Sequence, residues 1–214
     1  MKIIMIRHAK VDMEWEKSYD SAGWDKANEA YNAAPIKEIT EHLKSEGFRV
    51  YISALPRTRA TANGLLGERD LIETPLLNEV PNRAAIETGL KLPKWFWVAR
   101  GRAQWFFNSP WQWETRKMTK ARAEELVKML VEKNEDCVLV THEFYLYTLK
   151  SVLEKHDFVI KRGGTGRIKN LERIRATKRD DHCGFCTHNC LLSNPGCDIG
   201  RERLKRETSQ KTDT

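Results

Sequence analysis

Apolar and polar residues follow one another along this chain with a period that changes from segment to segment. Lys2 to Ile6 is a short apolar run, read as a buried strand, and it passes straight into Arg7-His8-Ala9-Lys10. Pro35 opens a predicted helix in which Ile36, Ile39 and Leu43 recur three and four apart, and Gly47 closes it. Phe48 to Ile52 reads as a second strand, Ser53 to Leu66 as loop and helix, and a short strand is expected around Leu71 to Thr74 ahead of Pro75. Thr119 to Lys133 is the clearest helix, with Ala123, Leu126, Val127 and Leu130 along one stripe. Cys137 to Val140 is an apolar strand running into Thr141-His142, and Phe158 to Ile160 and Ile168 to Ile174 read as late strands around the Gly163-Gly164-Thr165-Gly166 turn. Strands separated by helices predict an α/β fold, a three-layer α/β/α sandwich with a mostly parallel central sheet.

Composition narrows the class. The 214 residues are 40% hydrophobic and 31% charged, enough apolar surface for a core and far from a collagen-like or wholly disordered chain. No internal repeat is visible. No run approaches the ~20 apolar residues of a membrane span, and the opening apolar run stops at Arg7-His8, shorter than the ~7–15 residues of a signal-peptide core. A cytoplasmic protein without a membrane partner is the expectation. The net charge of +7 is concentrated between Lys161 and Asp180, where eight bases face two acids for a net of +6. That stretch could bind nucleic acid or draw in an anionic substrate, or it could be a solvated hairpin face. It holds no aromatic residue to stack on bases, so a nucleic-acid partner is not expected.

In open α/β sheets, ligands bind beyond the carboxyl ends of the strands. His8 and His142 each stand one or two residues past such an end, on strands far apart in sequence, and Arg7 and Arg57 join them. Arginine forks match phosphate oxygens, and a neutral imidazole is a competent nucleophile toward phosphorus. Two imidazoles and two guanidiniums therefore point to phosphoryl transfer with no required metal.

At these residues the chain resembles the histidine phosphatase superfamily, also called the phosphoglycerate mutase-like family. Arg7-His8-Ala9 is similar to its Arg-His-Gly signature, and Ser53-Ala54-Leu55-Pro56-Arg57-Thr58-Arg59-Ala60-Thr61-Ala62 to its second block. Leu77-Asn78-Glu79 resembles the segment carrying the acid, and Val138-Leu139-Val140-Thr141-His142 the block of the second histidine. The likeness covers roughly residues 1–175. It implies that His8 attacks phosphorus, that Arg7, Arg57 and His142 hold the phosphoryl oxygens, and that Glu79 protonates the leaving oxygen and then activates water. Glu73 and Glu87 are alternative acids, and Arg59 reads as a surface ion-pair partner.

Three departures bear on the activity. Ala9 stands where the family has Gly, a small change that still lets backbone approach a phosphate. Glu143 follows His142 where Gly is common, a carboxylate able to raise the pKa of His142 or to repel an anionic substrate. Lys10-Val11-Asp12 replaces the Ser/Thr and Asn typical of the mutase branch, which favours a phosphatase. The rival readings are a mutase-type phosphotransferase and a non-catalytic protein that holds a phospho-ligand or a partner.

Between Glu79 and the long helix lies an aromatic segment, about 91–116, where the family builds its substrate lid. Trp95, Phe96, Trp97, Trp105, Phe106, Phe107, Trp111 and Trp113 fall within it, with Arg100, Arg102 and Arg116 nearby. The segment reads either as a wall suited to a small phosphorylated substrate with an apolar or ring-containing leaving group, or as a subdomain with its own aromatic core. It is not an amphipathic stripe of the kind that lies on a membrane.

The carboxyl-terminal part carries Cys183, Cys186, Cys190 and Cys197, spaced C-x2-C-x3-C-x6-C. In an intracellular chain such spacing reads as metal binding before disulfide. Four thiolates suit a structural tetrahedral zinc, with an iron–sulfur cluster or unligated cysteines as alternatives and His182 and His188 as substitute ligands. The expected organisation is thus a catalytic domain at 1–175, a Cys-rich module at 176–200 and a polar tail at 201–214. Cys137 is expected in the core. Oligomeric state is left open.

Overall fold

A strand whose residues are apolar on both faces must be paired on both sides, and this is where the chain begins. A computed structural model describes residues 1–179 of the chain. In it the elements run β1 (Lys2–Arg7), β2 (Ser18–Tyr19), α1 (Ser21–Ala33), β3 (Arg49–Ile52), α2 (Pro56–Leu66), β4 (Leu71–Glu73), β5 (Leu92–Pro93), α3 (Lys94–Phe106), α4 (Arg116–Lys133), β6 (Cys137–Thr141), α5 (Glu143–Lys155), β7 (Phe158–Arg162) and β8 (Arg173–Lys178). The main sheet has the order β4-β3-β6-β1-β8-β7. Pairings β4–β3, β3–β6 and β6–β1 are parallel, whereas β1–β8 and β8–β7 are antiparallel, so the sheet is mixed. β2 and β5 form a separate two-stranded ribbon.

The period-2 rule sorts the strand side chains onto two faces. Ile3, Met5, Tyr51, Cys137 and Leu139 pack with Leu126, Leu130, Leu146 and Leu149 of α4 and α5. Ile6, Val50, Ile52, Val138 and Val140 pack instead with Ala62 and Leu65 of α2. A third, smaller cluster gathers Tyr19, Trp24, Ala27, Ala84 and Trp97 from the ribbon, α1 and α3. The predicted stripe of α4 is fully buried, and Thr115 caps that helix by accepting from Met118 N, one turn before the expected start.

Three expectations are corrected. Residues 35–47 form no helix: Asp12 N bonds Pro35 O, Lys37 N bonds Lys10 O and Leu43 N bonds Leu65 O, so the backbone groups are taken by neighbouring segments. Ile39 and Leu43 still pack inward, against the α2 face. The last strand begins at Arg173, not Ile168, because Leu171 adopts a left-handed φ of 61° that turns its N–H onto Arg7 O. That strand runs to Lys178, past the expected boundary at 175. Helix α1 has no apolar stripe in the sequence pattern to announce it, because it buries only Trp24 and Ala27. Cys183, Cys186, Cys190 and Cys197, the metal proposed for them, and the polar tail lie outside the described residues. No described helix is long and apolar enough to cross a membrane.

Candidate active site

Strand register builds the site. In the parallel β1–β6 pair, Arg7 stands opposite Thr141, so the next residues of each strand, His8 and His142, emerge side by side. Their ring centroids are 5.1 Å apart. The neighbouring strand β3 ends at Ile52, Ser53 follows it, and the turn then starts α2 with Pro56, which places Arg57 in the first turn of that helix. Helix N-termini favour anions.

His8 is buried and its Nδ1 lies 2.7 Å from Ala9 O. That contact assigns the proton of the neutral ring to Nδ1 and leaves the Nε2 lone pair free. Burial, and next to it the Arg57 guanidinium, push the His8 pKa down to about 3. Ala9 N donates to Thr61 Oγ1 at 2.9 Å, so this amide is engaged by α2.

His142 is wholly buried. Its Nδ1 accepts from Arg57 Nε at 3.2 Å, and its Nε2 lies 2.8 Å from Ser53 Oγ, which itself contacts Thr58 Oγ1. Burial foremost, then Arg57 and His8, hold its pKa well below the usual imidazole value. The expected rise from Glu143 does not occur, because that carboxylate is engaged elsewhere. It pairs with Arg7 Nη1 at 3.0 Å and takes both Nε and Nη2 of Arg167 at 2.6 and 2.8 Å.

Arg7 also donates from Nη1 to Ile168 O at 2.6 Å, while its Nε is buried without a partner. Arg57 completes its fork on Asn32 Oδ1 at 2.8 Å and lies 5.1 Å over the Tyr31 ring. Glu79 sits before α5 with Oε1 accepting from Tyr145 N at 3.1 Å and from Val80 N, and Oε2 from Phe144 N at 3.4 Å. It therefore satisfies free N–H groups of the first turn of that helix. Arg122 holds the same segment by donating to Leu76 O and Asn78 O, and Thr141 Oγ1 donates to Leu77 O.

These groups open on one cavity of about 1680 Å³ lined by Arg7, His8, Arg57 and Glu79 among others. Glu73 and Glu87 do not line it; Glu73 is paired with the surface residue Arg59 at 2.8 Å, as the sequence reading had it for that arginine. His142 stands behind Arg57 and His8 and reaches no lining surface. Tyr31, Trp15, Trp95, Trp113, Lys94 and Arg102 continue the wall. Of the aromatic segment, Trp97 and Trp105 are buried in the core, whereas Trp95 and Trp113 line the cavity. Asn170, which the sequence gave no reason to select, donates to His8 O at 2.8 Å. Three bases of the basic stretch are paired: Arg162 with Glu172, Arg167 with Glu143 and Arg173 with Glu41. Among the described residues, no cluster of three or more His, Cys, Asp or Glu side chains could hold a metal.

Residues 3–162 match the model of the histidine phosphatase superfamily, branch 1. The chain belongs to that superfamily and is a histidine-dependent phosphatase by class. Solved structures share its fold. An α-ribazole phosphatase from Shigella flexneri aligns at TM-score 0.52 and 18% identity, covering 84% of this chain and 95% of its own. A phosphoserine phosphatase from Entamoeba histolytica, in complex with 3-phosphoglyceric acid, aligns at 0.50 and 17%, covering 81% and 89%. A protein described as mycobacterial hydrolase 2 aligns at 0.51 and 18%, covering 84% and 83%. No curated protein sequence matches the chain significantly.

Proposed function

We propose that this protein hydrolyses phosphomonoesters through a phosphohistidine on Nε2 of His8. One observation carries the reading: His8 is held neutral, with its proton directed at Ala9 O and Nε2 open at the cavity beside Arg57. In the first step Nε2 forms a bond to phosphorus as the bond to the leaving oxygen breaks, and Glu79 supplies the proton to that oxygen. In the second step water attacks the phosphohistidine, Glu79 takes its proton, and inorganic phosphate is released. Arg7 and Arg57 offset the charge that builds on the equatorial oxygens, and no metal is required. His142 acts through Arg57, whose Nε it anchors; direct contact with phosphate would require that bond to open.

The leaving group is proposed to contain a ring. Tyr31, Trp15 and Trp95 line the cavity beyond Arg57, with Tyr31 and Trp15 at 5.2 Å and Lys94 lying 3.9 Å over Trp15. The substrates named for the structural relatives, α-ribazole phosphate and phosphoserine, fit the same reaction class. For Cys183, Cys186, Cys190 and Cys197 we retain the proposal of a structural zinc on their spacing alone; metal analysis should find one ion per chain, and a chain purified without metal would refute it.

The test of the main proposal is phosphate release from an aryl phosphate in the presence of chelator, beside the His8→Ala variant. Release by the parent alone, with an acid-labile phosphoenzyme trapped only in the parent, is the expected result. Equal turnover by both would overturn the mechanism.

A further inference from the structure

We propose that the tip formed by residues 106–118 docks this protein onto an anionic lipid surface. Phe106 is 50% exposed, Phe107 77%, Trp111 66%, Trp113 65% and Met118 52%, all within one short segment. Isolated apolar residues on a surface are ordinary, but a contiguous cluster of large rings marks an interaction site.

The exposure is built into the backbone. Gln112, the polar residue between Trp111 and Trp113, is the one turned inward: its Oε1 accepts from Arg83 N, and its Nε2 donates to Arg83 O and to Gln104 Oε1. Asn108, in a left-handed turn at φ 56°, accepts from Lys117 N, and Ser109 N bonds Gln104 O. The polar side chain is buried and its aromatic neighbours face solvent, the reverse of the usual arrangement, with hydrogen bonds fixing it so.

Charge selects the occupant. From Lys94 to Lys120 there are six bases and one acid. That acid, Glu114, is held by Nε and Nη2 of Arg122. Arg116, Lys117 and Lys120 are exposed, Arg116 lies 4.6 Å over the Phe106 ring and Arg83 lies 5.1 Å over Trp113. Rings flanked by cations are the chemistry of the headgroup region, where indole and phenyl groups enter the interface and bases meet lipid phosphates. An apolar protein groove would leave those bases unneutralised. Such a tip is not an amphipathic helical stripe, which is why the sequence pattern did not show it. Trp113 and the exposed Trp95 also line the cavity, so docking brings the mouth of the cavity to the headgroups.

The experiment is co-sedimentation of the full chain with phosphatidylcholine vesicles, with and without phosphatidylglycerol. The parent and His8→Ala should both bind the anionic vesicles, more weakly as salt rises, and bind neutral vesicles poorly. Phe107→Ser with Trp111→Ser, and separately Lys117→Glu with Lys120→Glu, should weaken partitioning about tenfold or more. Neither pair lines the cavity, so both variants should keep the circular dichroism spectrum and aryl phosphatase activity of the parent. Any of three results would overturn the proposal: no binding by the parent, binding unaltered in both variants, or binding of single-stranded oligonucleotide in place of vesicles. A lipid-free dimer abolished by the ring substitutions would do so too, assigning the patch to a second copy of the chain.

Discussion

Arg57 and His142 hold each other: the guanidinium Nε–H is donated to Nδ1 of the ring at 3.2 Å, which directs the single proton of the neutral ring from Nε2 toward Ser53 Oγ at 2.8 Å. Arg57, a donor only, thus sets the tautomer, and Ser53 Oγ accepts the remaining ring N–H and holds the ring in place. Ser53→Ala should leave the buried Nε2–H without its partner, loosen the ring, and let Arg57 drift from the phosphoryl group. A fall in kcat/KM of about tenfold, near 1.4 kcal/mol of transition-state stabilisation, is expected with little change in Tm. Steady-state kinetics beside a melting curve would check it; an unchanged kcat/KM would show that Arg57 keeps its place without the Ser53 contact.

Glu79→Gln keeps the backbone contacts through one amide oxygen but cannot give a proton to the leaving oxygen. The loss should be greatest for alkyl phosphates, about 10²–10⁴-fold, and small for nitrophenyl esters that depart without a proton. A plot of rate against leaving-group pKa should steepen. Parallel lines for parent and variant would move the acid to another residue.

The parts of the site that could be read from sequence are those that strand ends dictate. An apolar run that stops at Arg-His or Thr-His can hardly place those residues anywhere but beyond the sheet edge, and the adjacency of β1 and β6 then brings the two rings together. What escaped were contacts made by loops from distant positions: Ile168 O on Arg7 and Asn170 on His8 O depend on the left-handed Leu171, which no local pattern announces. The helix α1 escaped because most of its residues are solvated and only Trp24 and Ala27 are buried. Residues 35–47 misled for the opposite reason. Ile39 and Leu43 do face the core, but their spacing there reflects packing on α2 rather than a helical turn.

Acid stability should reflect His8. Its folded pKa lies near 3 because burial and Arg57 oppose the charged form, against about 6.5 when unfolded. Between those values the unfolded chain binds a proton that the native state does not, so stability is complete above about pH 6.5 and falls with pH toward 3, by about 1.4 kcal/mol per pH unit for this group. His142 is shifted the same way and adds to the slope. Denaturant unfolding of the parent and His8→Gln between pH 7 and about 4.5 should show a slope shallower by about one proton in the variant. Identical slopes would mean that His8 is charged in the native state.

Gly101 lies in α3 where a methyl group would fall 1.6 Å from Asn82 Oδ1 and 2.6 Å from its Cγ. Ala is the better helix former, yet here the overlap should dominate. Gly101→Ala is expected to cost about 1–3 kcal/mol, several degrees in Tm, as Asn82 is forced aside. A variant that melts at or above the parent temperature would show that Asn82 relaxes freely.

The burial of Cys137 within β6 has a practical consequence. Desolvation pushes its thiol up to about 12, so it presents almost no thiolate to an alkylating reagent near neutral pH. One of the five cysteines is thereby silent in the folded protein, and the other four stand beyond residue 180. Counting reactive thiols on the native chain therefore reports on Cys183, Cys186, Cys190 and Cys197 without a background from Cys137, and loss of reactivity on adding zinc would support the metal proposed for them.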